Sequence, residues 1–238
     1  MKAVFRPVVT AKEMVRGLLS RLGLSVSRIT TVGPESDSEF MNLYYQIRER
    51  TLLGPNKLYI LVQFLKSVAP LPGNAGEFGV YRGGAAFLLS NVLQQTSPTK
   101  IIHLFDTFTG MPKPDPEKDL HKEGDFSDTS IEDVSYFLRY ARNVRIHKGL
   151  FEDTLPTVDS EQFCFVHIDC DIYDSVLQVC NFLYSRMVPG GIMIIDDYGS
   201  KSCPGCKLAV DEFFASKQKS PIYLPPTGQS LVIKMPQV

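Results

Sequence analysis

Two acidic clusters constrain this chain more than any other feature: His167-Ile168-Asp169-Cys170-Asp171-Ile172-Tyr173-Asp174 and the pair Asp196-Asp197. Each follows a short apolar run, Phe163-Cys164-Phe165-Val166 in one case and Ile192-Met193-Ile194-Ile195 in the other. Runs that short and apolar read as parallel strands buried on both faces. Acids at the C-terminal ends of such strands meet at the edge where open α/β sheets bind ligands. Carboxylates gathered there repel one another unless a proton or a cation intervenes. Clustered oxygens suit a hard divalent ion such as Mg²⁺. The expectation is an α/β fold with a metal at the heart of an enzyme site.

The surrounding segments alternate. Gly76 to Val80, Lys100 to Phe105, Val144 to His147, Phe163 to Ile168 and Gly191 to Ile195 read as strands. Gly84 to Gln95, Ile131 to Ala141 with Ser130 as cap, Ser175 to Met187 and Lys207 to Ala215 read as helices. Alternation of this kind gives a mainly parallel sheet flanked by helices. Ile222 to Leu224 and Leu231 to Lys234 suit a closing antiparallel hairpin. Upstream, Ala11 to Leu22, Phe40 to Arg48 and Lys57 to Val68 carry helical periodicity, and Pro70 and Pro72 close the last of them. This texture divides a helical extension or lid, residues 1–70, from an α/β domain, residues 71–238. The polar stretch Met111 to Thr129 is long for a loop in a compact domain, which suits a lid.

Composition narrows the class. At 238 residues the chain can bury one sizeable core. Its 25 Lys and Arg balance 26 Asp and Glu, so no charge excess directs it to nucleic acid. Arg6 and Pro7 interrupt the N-terminal segment, and no apolar run reaches the roughly 18 residues of a membrane span. A cytoplasmic protein is the expectation. The cysteines Cys164, Cys170, Cys180, Cys203 and Cys206 are odd in number, which fits reduced thiols. Cys203-Pro204-Gly205-Cys206 is a CxxC, but no second CxxC or His pair accompanies it in the sequence to complete a zinc site.

Glu77-Phe78-Gly79-Val80-Tyr81-Arg82-Gly83-Gly84 follows a strand and opens a helix. Glycines there admit a ligand close to the backbone, and the helix N-terminus offers free N–H groups. The ExGxxxGG spacing differs from the GxGxxG of nicotinamide and flavin binders. Such a turn also serves simple helix–strand packing. Asp106, which ends the next strand, points instead to an adenosine-type ligand, because an acid there typically holds a ribose diol.

The segment Glu77 to Ala85 resembles the E-x-G-V-[WY]-R-G-G-A signature of the TylF-type macrocin O-methyltransferase family, with Tyr81 where Trp is usual. Leu104-Phe105-Asp106-Thr107-Phe108-Thr109-Gly110-Met111-Pro112 is similar to its second motif, and His167 to Ser175 and Ile195 to Tyr198 are similar to its metal motifs. Arg50-Thr51-Leu52-Leu53-Gly54 resembles the family's R-T-M-[IV]-G, and Lys148 to Pro156 resembles K-G-x-[FV]-x-D-T-L-P. The resemblance runs in consistent order from about Arg48 to Lys234 and leaves out the first 40 residues.

The resemblance implies a class I methyltransferase fold: a Rossmann-like, mainly parallel seven-stranded sheet flanked by helices, with an N-terminal helical extension. It implies S-adenosylmethionine- and Mg²⁺-dependent methylation of a sugar or phenolic hydroxyl of a small-molecule natural product, by a homo-oligomer. Asp169, Asp196 and Asp197 would ligate Mg²⁺ and Asp171 would be the general base. Glu77 and Gly79 would line the methionine end of the cofactor, and Asp106 its ribose. Ser127 and Phe151 would border the adenine, with Thr51 and Leu52 as cover. Val80, Tyr81, Gly83, Thr107, Gly149 and Asp169 complete the expected cofactor set.

Other readings stand beside this one. Asp169-Cys170-Asp171 is also a DxD, as in metal-dependent glycosyltransferases, although that class requires neither Asp196-Asp197 nor the ExGxxxGG–Asp106 pair. A non-catalytic cofactor-fold protein is a third, against which the intact set of mutually repelling carboxylates speaks. Among single residues, Asp171 reads also as a helix cap or a supporting acid, Asp174 and Ser175 as caps of the next helix, His167 as a core histidine, and His121 as a solvated loop histidine or a second acid–base group. Tyr173 and Tyr198 read as packing or as substrate wall.

Overall fold

A computed structural model of the chain describes residues 11–22, 32–217 and 219–236. The central strand is β4 (Phe163–Ile168), buried at every position. It is flanked in parallel by β1 (Asn74–Phe78) and β5 (Met187–Ile195). Beyond β1 lie β2 (Ile102–Asp106) and β3 (Val144–Lys148), also parallel. Beyond β5 the hairpin of β6 (Ile222–Leu224) and β7 (Gln229–Ile233) adds β7 antiparallel to it. The resulting seven-stranded order is β3-β2-β1-β4-β5-β7-β6. The order reverses between β1 and β4, which opens a crevice at their C-terminal ends.

Strand side chains alternate between two apolar layers. Ile102, Leu104, Ile192 and Ile194 face one layer, with α2 (Ser38–Ile47), α3 (Pro55–Val68) and α4 (Gly84–Thr96). Phe105, Met193 and Ile195 face the other, with α7 (Tyr173–Leu183) and α8 (Pro204–Ala215). Helices α2 and α3 thus share the sheet's own core: Phe40, Ile47, Leu58, Leu61 and Leu65 are buried in it. The Asp37 carboxylate accepts the Phe40 N–H at the start of α2, and Pro55 opens α3, where a missing N–H costs nothing. By contrast α1 (Ala11–Arg21) leaves Met14, Val15 and Leu18 exposed, with Leu22 beyond its end, among the described residues.

The elements fall where the sequence places them, with local differences. Ser130 caps α5 (Ile131–Phe137) by accepting the Asp133 N–H, but the helix stops four residues short of Ala141. Helix α7 ends at Leu183, before Met187, because Met187 already pairs with Phe163 in the sheet; Pro189 and Gly190 disguise this first part of β5 in the sequence. The short helix α6 (Phe151–Thr154) and the 3-10 turn Leu155–Val158 are too brief to leave a period. Asp174 and Ser175 do not cap α7. Its first N–H, that of Tyr173, donates instead to Asp119 Oδ1 at 2.9 Å.

That contact also fixes the long loop. Asp119 Oδ2 accepts the Asp115 N–H at 3.0 Å, and Lys118 Nζ stands 3.7 Å from the Tyr173 ring centre. Gly205 leaves the room this needs, since a Cβ there would overlap the Asp119 carboxylate. The loop is docked against α7 and α8 rather than projecting into solvent.

Candidate active site

A cavity of about 580 Å³ lies at the C-terminal edge of the sheet, within the range of small-molecule sites. One wall is the turn from β1 into α4. Gly79 has φ 90°, and a Cβ there would overlap the Asp169 carbonyl oxygen, so β1 and β4 approach this closely only with glycine. Tyr81 holds a left-handed φ of 52° in the same turn. Asp106 braces it: Oδ2 accepts the N–H groups of Val80 and Tyr81 at 2.7 and 2.9 Å, and Oδ1 accepts that of Phe108 at 2.6 Å. Of roughly four lone-pair positions on a carboxylate, these donors leave about one for a ribose hydroxyl.

The segment expected to cover the cofactor is tied to the same turn. Gly84 N–H donates to the Arg50 carbonyl at 3.1 Å. The Arg50 guanidinium donates to both Asp133 oxygens at 2.8 and 3.1 Å and to the Arg82 carbonyl at 3.1 Å, while stacking 4.1 Å from the Phe137 ring centre. Thr51 and Leu52, which follow Arg50 directly, line the cavity.

At the other wall, ligand atoms of Asp169, Asp171 and Asp197 lie within 4.8 Å of one another, as do those of His167, Asp169 and Asp196. Burial, then repulsion from Asp196, Asp197 and Asp171, raises Asp169 well above the usual carboxylate range. Burial and Asp197 likewise push Asp171 up to about 7. Asp171 also has a left-handed φ of 58°, a strained state for a residue with a side chain.

Two cations, Lys57 and His167, offset part of this charge. Lys57, on α3, hydrogen-bonds Asp196 and lies 3.6 Å from Asp197. Its burial opposes the charged form, but those carboxylates raise its pKa further. His167 is no ordinary core histidine. Its Nδ1 is 3.2 Å from Glu77 Oε1 and its Nε2 is 3.8 Å from Asp196 Oδ1, an electrostatic rather than a hydrogen-bonded approach. Burial would lower it, yet Asp196 and Glu77 raise it to about 9. Burial raises Asp196, but His167 and Lys57 outweigh this and hold it below the usual range. No local pattern marks Lys57, because it reaches the site from a helix more than a hundred residues upstream. His167 carried a signal in its place beside the acids, and the mid-strand position hid it.

Of the expected site residues, Thr51, Leu52, Glu77, Gly79, Val80, Tyr81, Asp106, Thr107, Gly149, Phe151, Asp169, Asp171, Asp196 and Asp197 line the cavity. Gly83 and Ser127 stand outside that lining. Gly83, at φ 80°, is the N-cap of α4 and faces Val134; Ser127 is exposed, and Phe126 and Thr129 take the wall positions of its loop. His121 is not solvated at large. It lines the cavity, with its Nε2 3.5 Å from Cys203 Sγ. Cys203 in turn is 3.5 Å from Asp171 Oδ1. Asp174 and Ser175 also face the cavity.

No helix among the described residues is long and apolar enough to cross a membrane. The sequence model of the family described as Macrocin-O-methyltransferase (TylF) matches residues 46–223. Demethyldecarbamoylnovobiocin O-methyltransferase of Streptomyces niveus is 32% identical over 179 residues, covering 69% of this chain and 68% of that protein. Mycinamicin III 3''-O-methyltransferase of Micromonospora griseorubida is 32% identical over 185 residues, covering 71% and 72%. The structure of the O-methyltransferase NovP superposes with a TM-score of 0.70 at 28% identity, covering 79% of this chain and 83% of that one. The DxD glycosyltransferase reading finds no support in these relationships.

Proposed function

The chain belongs to the macrocin-O-methyltransferase (TylF) family and is an O-methyltransferase; from this we propose that it methylates a sugar or phenolic hydroxyl of a small-molecule natural product, using S-adenosylmethionine, with Mg²⁺ at the Asp169–Asp196–Asp197 cluster and Asp171 as base. The observation that carries the reading is that Asp169 lies within 4.8 Å of Asp171 and Asp197 in one group and of His167 and Asp196 in another, in the cavity whose other wall is the Gly79–Asp106 turn.

The residues fit both groups. Carboxylates forced together and buried are what a hard cation stabilises, and Asp169 is raised by burial first and then by repulsion from Asp196, Asp197 and Asp171. Glu77 Oε2 is buried in the cavity wall with no hydrogen-bond partner among the described residues. It suits the ammonium of a methionyl group. S-adenosylmethionine supplies the methyl as an activated sulfonium. Mg²⁺ held by Asp169, Asp196 and Asp197 would supply Lewis-acid polarisation of the acceptor oxygen.

The protein's own work is positioning and proton transfer. Gly79 lets the cofactor lie against the β1–β4 crevice, and Asp106 keeps the turn in shape while offering its remaining lone pair. Arg50 anchors the segment whose Thr51 and Leu52 line the cavity. Asp171, buried beside Asp197, accepts the acceptor's proton as the oxygen attacks.

Calorimetric titration of S-adenosylhomocysteine and Mg²⁺ into wild type and Asp196→Asn/Asp197→Asn tests the assignment. Both proteins should bind the cofactor product, and only wild type should bind Mg²⁺. Equal Mg²⁺ binding by the double variant would remove the cluster from metal binding.

A further inference from the structure

Beside the carboxylate cluster lies a second set of ligands of different chemistry. His121, from the long loop, Asp171, following β4, and Cys203, at the N-terminus of α8, present Nε2, a carboxylate oxygen and Sγ within 4.8 Å of one another. Sγ is 3.5 Å from both His121 Nε2 and Asp171 Oδ1. Around a tetrahedral zinc, with Zn–N about 2.0 Å and Zn–S about 2.3 Å, neighbouring ligand atoms lie about 3.3–3.6 Å apart. His121 Nδ1 is engaged by Asp125 Oδ2 at 3.0 Å. A carboxylate on the far nitrogen is the usual support of a metal-binding imidazole, since it fixes which nitrogen faces the ion.

We propose that His121, Cys203 and Asp171 form a site for a soft divalent cation such as Zn²⁺, distinct from the oxygen-only cluster, and that filling it inhibits the enzyme by engaging Asp171. The inhibitory part rests on Asp171 acting as base; the binding part does not. Thiolate and imidazole select a soft ion, whereas Asp169, Asp196 and Asp197 offer only oxygen and suit a hard one. All three residues line the cavity, so an ion they hold would sit in its wall. Burial pushes the Cys203 thiol up to about 12, and a bound cation would replace its proton. Cys206, the other half of the CxxC, is buried and lies outside this ligand set. The cysteine's partners come from the long loop and from the segment after β4, which is why the spacing of the motif does not reveal them.

Co²⁺ is the probe, added with Mg²⁺ in excess, because cobalt bound to a thiolate gains a near-ultraviolet charge-transfer band that oxygen ligands do not produce. Wild type should show this band at one equivalent, bleached by one equivalent of Zn²⁺. Cys203→Ser should lose the band, His121→Ala should weaken Co²⁺ binding at least tenfold, and Cys206→Ala should keep it. Asp196→Asn/Asp197→Asn should also keep it, which separates this site from the proposed Mg²⁺ site. Should Cys203→Ser fail to fold, His121→Ala reads the same site. No band in wild type, or a band that survives Cys203→Ser, overturns the proposal. One equivalent of Zn²⁺ should abolish wild-type methyl transfer; undiminished transfer with the site filled would refute the inhibition alone.

Discussion

The ammonium of Lys57 lies 3.6 Å from the Asp197 carboxylate and hydrogen-bonds Asp196, so a residue of α3 supplies positive charge to the acids at the end of β5. A divalent ion at those acids would do the same work, and the two cations oppose each other. Lys57→Met should therefore bind Mg²⁺ about tenfold more tightly, near 1.4 kcal/mol, while its melting temperature in chelator falls. Thermal unfolding with and without Mg²⁺ checks this. A Mg²⁺-induced rise no larger than in wild type would show that Lys57 does not stand in for the ion.

Glycine positions give a sharp contrast. Gly79 combines φ 90° with a Cβ direction blocked by the Asp169 carbonyl, whereas a Cβ at Gly54 meets nothing within 4 Å and its φ is −70°. Gly79→Ala should destabilise the fold by more than about 3 kcal/mol and abolish cofactor binding, and Gly54→Ala should stay within about 0.5 kcal/mol. Denaturant unfolding of the two variants is the measurement; equal stability would discount the close approach of β1 and β4.

Asp106 makes a two-part prediction. Asn keeps one acceptor oxygen and leaves part of the Val80, Tyr81 and Phe108 N–H set without its partner. Asp106→Asn should lose about 1–3 kcal/mol of stability and at least tenfold in affinity for S-adenosylhomocysteine. Lost affinity at unchanged stability would mean that the acid contacts ligand without bracing the turn.

Away from the site, His103 is buried, with Nδ1 3.0 Å from His147 Nε2. Burial and then repulsion by His147 lower its pKa to about 4. A histidine neutral in the fold and near 6.5 when unfolded contributes stability that is whole above pH 6.5 and lost as pH falls toward 4. Allowing for screening, wild type should lose about 1–2 kcal/mol more than His103→Gln between pH 7.5 and 5. Parallel pH profiles for the two proteins would contradict this.

Most of the architecture was legible because it is written in short-range signals. The unbroken apolar run Phe163 to Val166 can be satisfied only in a central strand, and the acids that follow it must sit at the sheet's C-terminal edge. The Ser130 cap and the closing hairpin are equally local. What stayed hidden depends on contacts distant in sequence. Lys57 reaches Asp196 across 139 positions, and Cys203 meets His121 across 82, so neither carries a spacing rule. Boundaries blurred where Pro189 and Gly190 sit inside β5 and where α6 is one turn long. Ser127 lies outside the cavity lining while Phe126 and Thr129 belong to it, because a loop without period gives no indication of which residues turn inward.

The central claim is methyl transfer to oxygen at the carboxylate cluster. Its most direct measurement is incubation with methyl-¹³C-labelled S-adenosylmethionine, Mg²⁺ and a panel of glycosylated and phenolic natural products, read by mass and carbon NMR. One labelled methyl should appear on a hydroxyl oxygen of an accepted substrate. Chelator and Asp196→Asn/Asp197→Asn should each reduce transfer at least a hundredfold, and Asp171→Asn should do so with cofactor binding intact. Transfer that persists at the wild-type rate in chelator and in both variants would contradict the account.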